Sequence, residues 1–165
     1  MSIAIVPGSF DPMTLGHLAL IREAASRYDR VVVAVMVNSE KKYLFDMPTR
    51  VEMATLTLGE LSNVEVIGDE GMLIDLYDRI GADAVVKSYR NNKDLAYEKE
   101  MADWNRAHNP RFRTELIAAS GEHSTVSSTE VRALLSMGKL PTDLVHPAIL
   151  PFLERMKLNM QGELQ

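Results

Sequence analysis

Short apolar runs rich in valine and isoleucine recur along this chain, and stretches of helical periodicity separate them. Ile3–Val6, Val31–Val37, Val64–Ile67, Ala84–Val86 and Thr114–Ala118 predict strands. They are apolar on both faces, as strands buried beneath helices are. Between them, Leu18–Ser26 carries Leu20, Ile21, Ala24 and Ala25 at helical spacing. Thr49–Leu61 opens with Thr49-x-x-Glu52, the pattern of a capping box. Met72–Ile80 stops at Gly81, and Leu95–Ala107 carries Leu95, Met101 and Trp104. Such alternation predicts an α/β chain: a Rossmann-like, doubly wound, five-stranded parallel sheet flanked by helices, with right-handed crossovers.

After the fifth strand comes a polar loop, Ala119 to Thr125. A helix from Ser128 to about Gly138 follows, with Ser127-x-x-Glu130 as a second capping box. A last helix, Ala148–Leu158, carries Ile149, Phe152, Leu153 and Met156, a stripe that serves either core or interface. The tail Asn159–Gln165 is expected to fray, so residues 1–158 read as one domain. No repeat or linker divides the 165 residues.

Composition narrows the function classes. A net charge of -5 argues against a nucleic-acid partner, which needs a basic face, but leaves room for a small anion in a locally basic pocket. The absence of cysteine excludes disulfides, thiolate catalysis and Cys-zinc sites, and fits a cytoplasmic protein. No signal peptide is visible, and the longest apolar run, Val31–Val37, is far too short to cross a bilayer. His108, His123 and His146 have no partners at metal-ligand spacing and read as structural or exposed; no metal site is expected. The ten methionines read as core filling.

The chemistry concentrates at the end of the first strand, in "PGSFDPMTLGH" from Pro7 to His17. Doubly wound sheets bind ligands at the carboxyl ends of their strands, where the strand order reverses. Gly8 leaves room for close approach to the backbone, and Ser9 supplies a hydroxyl. Thr14-x-Gly16-His17 starts a helix whose free N–H groups favour an anion, with an imidazole on its first turn. The spacing matches neither a GxGxxG fingerprint nor a GxxxxGK[ST] loop.

This string, in its TxGH form, resembles the signature of the HxGH nucleotidyltransferases. The likeness continues in order through "VNSEKKYLF", "TRVEMA", "NVEVIG", "VVKSYRNNKDLAYEKEM" and "VSSTEVR", and together these are similar to the phosphopantetheine adenylyltransferase family. The resemblance implies that the phosphate of 4'-phosphopantetheine attacks the α-phosphorus of ATP, bound with Mg²⁺, releasing pyrophosphate and dephospho-coenzyme A. The nucleophile is ionised near neutral pH, so catalysis rests on positioning and charge stabilisation.

By the same resemblance His17 donates to the α-phosphate and Ser9 bonds the same region. Lys41 holds the attacking phosphate and Arg90 offers a planar fork to phosphate oxygens. ATP is expected to meet Ser9, Phe10, His17, Arg90 and Glu98, together with Ser127, Ser128 and Thr129. Tyr97 matches a position beside the nucleotide, while phosphopantetheine is expected at Ser9, Lys41, Met72, Leu73 and Lys87. The family's homohexamer of two trimers is implied as well.

Taken alone, these residues have plainer readings. Lys41-Lys42 fits a solvated loop, Ser127 a helix cap, Arg132 a surface charge, and Tyr97 and Glu98 a packed and an exposed helical position. One departure stands out: many relatives have Arg-Gly-x-Arg where this chain has Lys87-Ser88-Tyr89-Arg90. Lysine keeps the charge but loses the bidentate fork. That keeps open a nucleotidyltransferase with another phosphorylated acceptor, beside a non-catalytic nucleotide-binding module.

Overall fold

The computed structural model describes residues 1–163; Leu164 and Gln165 lie outside the described residues. The predicted strands form as β1 (Ile3–Gly8), β2 (Arg30–Met36), β3 (Val64–Asp69), β4 (Ala84–Tyr89) and β5 (Thr114–Ala118). All pair in parallel, in the order β3-β2-β1-β4-β5. The crossovers carry α1 (Leu15–Arg27), α2 (Met47–Thr57), α3 (Leu73–Ile80) and α4 (Asn92–His108). Two further helices, α5 (Ser128–Ser136) and α6 (Leu150–Glu163), close the chain.

The strand order reverses between β1 and β4, and the register shows what this does. β1 pairs with β2 along its whole length, from Ile3↔Arg30 to Gly8↔Val35. β4 pairs with β5 as far as Tyr89↔Ala118. Between β1 and β4 the ladder holds only Ala4↔Ala84 and Ile5↔Val85. Beyond that point each strand follows its outer neighbour, and a crevice opens at the carboxyl edge.

Alternating side chains of the sheet feed two cores. Ala4, Val6, Val31, Val33 and Val35 meet Ile21 and Ala24 of α1 and Ala54 of α2. Ile5, Val32, Ala34 and Val85 meet Leu76 and Tyr77 of α3, with Phe112. A third cluster joins Phe45 and Met53 to Val131, Leu135, Ile149 and Leu153, so the C-terminal stripe belongs to the core at Ile149 and Leu153.

Several local expectations need correction. β3 and β5 are edge strands and only partly buried, with Glu65 paired to Arg30 and Glu115 to Arg27. Charges on a sheet edge discourage pairing with another chain. α2 starts at Met47 because Asp46, a better cap than Thr49, accepts the Thr49 N–H at 3.0 Å, and Pro48 suits the first turn. At α5 only half the predicted box forms: Ser127 accepts the Glu130 N–H at 3.2 Å. α4 buries none of its residues, and Met101 and Trp104 are exposed because no element covers them. α6 follows a 3₁₀ turn, Pro147–Ile149, and continues through the tail expected to fray, as far as Glu163, with Met160 packed on the third cluster.

Candidate active site

The turn from β1 into α1 is built around His17. Thr14, fully buried, caps α1: its Oγ1 accepts the His17 N–H at 3.4 Å. In return the Thr14 N–H donates to His17 Nδ1 at 2.9 Å, so the imidazole plays the part glutamate usually takes in a capping box. A nitrogen that accepts a backbone N–H carries no proton. The proton of the neutral ring therefore sits on Nε2. Desolvation, with a smaller push from the Arg90 charge, lowers the His17 pKa to about 4. At neutral pH the ring is uncharged and offers one oriented N–H. The Phe10 ring meets it edge-on at 5.0 Å.

Two glycines make the turn possible, and one differs from expectation. The space beside Gly8 is taken by the Phe10 ring, which an added Cβ would meet at 2.9 Å, so it is not open to a ligand. At Gly16 a Cβ would meet the Val126 carbonyl at 2.9 Å and the His123 carbonyl at 3.1 Å. Gly16 thus lets the β5–α5 loop lie directly against the start of α1.

That loop delivers α5. Ser128 Oγ donates to the Pro12 carbonyl at 2.7 Å. Arg132, one turn along, donates to the Asp11 carbonyl at 2.8 Å and to Thr129 Oγ1 at 3.2 Å. Ser128 therefore spends its hydroxyl proton within the protein, whereas the Ser127 and Thr129 oxygens only accept, from the Glu130 N–H and from Arg132, and keep their O–H protons. What the start of α5 leaves for an anion is its free backbone N–H groups and those two hydroxyl protons.

These elements line a cleft of about 1000 Å³ at the parting of β1 and β4. It brings together Ser9, Phe10, His17, Lys41 and Arg90. Tyr97 and Glu98 reach it from α4, and Ser127, Ser128 and Thr129 from α5. Lys93 lines it too, and so do His123 and Arg132, which by sequence alone look like a structural or exposed histidine and a surface charge. Arg132 lies four residues after Ser128, the spacing that puts two side chains on one helix face, and this was the available signal. Lys41, Arg90, Lys93 and Arg132, with Arg27, share the lining with the carboxylates of Asp11, Glu23, Asp94 and Glu98, which leaves the cleft close to balanced, with a slight cationic excess, in an acidic chain. Arg90 is half-exposed, with Asp94 at 3.6 Å as its carboxylate neighbour.

Three predicted residues stand apart from the cleft lining. Lys87, on β4, points its Nζ at Glu98 Oε2, 3.0 Å away. Met72 is an exposed N-cap, and Leu73 packs on the second core cluster. Among the described residues no three potential metal ligands gather anywhere.

Comparison with known proteins places this geometry. Residues 5–134 match the cytidylyltransferase-like family. A phosphopantetheine adenylyltransferase from Clostridium perfringens is 36% identical over 163 residues, 99% of either chain. Another, from Limosilactobacillus reuteri, is 39% identical over 138 residues, 84% of this chain and 80% of its own. The chain belongs to the phosphopantetheine adenylyltransferase family. As a member of that family it is a nucleotidyltransferase, and distant structures share its fold. A bifunctional NMN adenylyltransferase/ADP-ribose pyrophosphatase from Francisella tularensis superposes with a TM-score of 0.73 at 15% identity, over 98% of this chain and 53% of that one. A candidate nicotinate-nucleotide adenylyltransferase from Vibrio parahaemolyticus gives 0.70 at 21% identity, over 96% and 93%. This member of the phosphopantetheine adenylyltransferase family carries its Thr14-x-Gly16-His17 turn on a sheet whose fold those structures share. No described helix is long and apolar enough to cross a membrane.

Proposed function

We propose that this protein transfers the adenylyl group of ATP to 4'-phosphopantetheine. A phosphate oxygen of the acceptor attacks the α-phosphorus, the bond to the β-phosphate breaks, and pyrophosphate leaves with dephospho-coenzyme A as the other product. One observation carries the reading: a neutral His17 with its Nε2 proton fixed shares one cleft with Lys41, Arg90 and Arg132. An oriented donor and fixed cations around a phosphoryl group are what this reaction requires, because its nucleophile is already ionised. The nucleotide enters as its Mg²⁺ complex. The carboxylates near the turn do not form a cage for the ion, since both oxygens of Asp11 accept backbone N–H groups, from Leu44 at 2.8 Å and Phe45 at 2.9 Å. Phosphate oxygens and water suit Mg²⁺ as ligands.

Pyrophosphate release tests the proposal. It is expected only when ATP, Mg²⁺ and 4'-phosphopantetheine are all present. Binding of ATP without turnover of that acceptor would defeat the assignment. The Lys87–Glu98 pair favours a second reading, in which another phosphorylated acceptor is used, because it neutralises a cation expected to hold the acceptor. A panel of phosphorylated acceptors under the same assay separates the two. A cytoplasmic homohexamer completes the proposal, supported by the absence of cysteine and by the uncovered apolar side chains of α4.

A further inference from the structure

Arg50 lies outside the cleft and is 2% exposed, an unusual place for a guanidinium. No carboxylate pairs with it among the described residues. Its partners are three backbone carbonyls from three segments: Phe45 at 3.1 Å, Ser9 at 2.8 Å and Met36 at 3.2 Å. The Tyr43 ring lies 4.1 Å beneath it. The Met36 and Phe45 carbonyls and the Tyr43 ring hold the cation in place on the β2–α2 side. The bond to Ser9 reaches into the cleft wall.

That bond sets the polarity of one peptide group. The Ser9–Phe10 peptide is trans, so its N–H runs antiparallel to its C=O. The carbonyl is drawn back toward Arg50, which is not part of the cleft, while Ser9 and Phe10 are. The Phe10 N–H therefore faces the other way, toward the cleft, and among the described residues nothing accepts it. Phe10 adopts φ 48°, a left-handed conformation rare for a bulky side chain. Such outliers persist where the surroundings over-determine them and are commonly part of a working site. Turned over, the same peptide would present its carbonyl oxygen to the phosphates.

We infer that Arg50 is a positioning residue: it holds the Ser9–Phe10 peptide with its N–H outward, as a fixed donor to a phosphoryl oxygen of the nucleotide. The inference rests on the proposed adenylyl transfer only for its activity readout. A fixed dipole aimed at phosphate acts without reorganisation during reaction.

The test follows the Phe10 amide by ¹⁵N–¹H spectroscopy in the wild-type protein, with and without MgATP. Pyrophosphate release by Arg50→Lys and Arg50→Ala accompanies it, with thermal melts to verify folding. The Phe10 amide proton is expected to move downfield with MgATP. Arg50 meets the Phe45 carbonyl with Nε and those of Ser9 and Met36 with Nη1, a spread that the single nitrogen of lysine does not reproduce, so Arg50→Lys is expected to lose about tenfold to a hundredfold in kcat. Its KM for ATP should rise while the KM for the acceptor holds, and guanidinium ion should restore part of the Arg50→Ala rate. A Phe10 amide unmoved by saturating MgATP overturns the inference, whether or not the variants fold. So does a folded Arg50→Lys that loses kcat with both KM values unchanged, or loses nothing. If the amide responds but the wild type turns over no 4'-phosphopantetheine, the positioning role stands and the functional proposal falls.

Discussion

His17 does two jobs at once, capping α1 through Nδ1 and facing the cleft with Nε2. A folded pKa of about 4 lies below the ordinary 6.5, so between those values the unfolded chain binds more protons than the native one. Its share of stability is whole above about pH 6.5 and is lost as pH falls toward 4. An NMR titration of the ring should show a midpoint near 4; a midpoint at 6.5 would mean the burial has been misjudged. His17→Ala should cut kcat by about 10²–10³-fold, the usual cost of one transition-state donor. An unchanged rate would remove His17 from the chemistry. Gly16→Ala must push back the carbonyls of His123 and Val126, and overpacking of this kind costs about 1–3 kcal/mol. Chemical denaturation measures that loss, and the activity should fall with it as α5 shifts from the turn. The TxGH string makes both residues legible from sequence, because a cap and its histidine lie three positions apart. Arg132 was not legible: a solvated arginine and one docked on the Asp11 carbonyl look alike until the turn and α5 are brought together.

Elements form here largely by local rules, and where they depart from the simplest local pattern the cause is local as well. Thr49-x-x-Glu52 has the form of a capping box, yet Asp46 stands three residues earlier with Pro48 behind it and takes the role. Asp46→Ala should therefore lower the melting temperature by about 2–4 °C, while Thr49→Ala, which keeps the capped N–H, should lower it less. Equal effects from the two would mean that the cap has been misplaced. The Thr49 hydroxyl, and after it the Thr49 N–H, hold the Asp46 carboxyl below its usual range, so this stabilisation disappears on acidification as the carboxylate is protonated. α5 is different, since its position depends on Ser128 reaching the Pro12 carbonyl, 116 residues back. Ser128→Ala should cost about 1 kcal/mol in a denaturant melt and raise the KM for ATP. A normal KM would show that the Ser128 bond does not govern the nucleotide site.

At the scale of the whole molecule, the cleft exists because β1 and β4 pair only at Ala4 and Ile5. α4 spans one side of it without burying a residue, and leaves Tyr97, Met101 and Trp104 exposed. Trp104 is the only tryptophan in the chain, so it reports on this face alone. A hexamer that covers α4 should show a mass six times the 18.4 kDa chain and blue-shifted tryptophan emission that reddens on dissociation. A monomer at micromolar concentration would exclude this assembly. By itself the sequence determined the five strands, the helices between them and the turn at Pro7–His17 that comes to line the cleft. Those depend on periodicity, capping and backbone freedom, which act among residues a few positions apart. Only the tertiary structure decided that His123 and Arg132 join the cavity of residues 17, 41 and 90, that Lys87 turns to Glu98, and that α4 stays uncovered. These outcomes depend on strand order and on where one ladder stops, and they join segments too far apart in the chain for any local pattern to record.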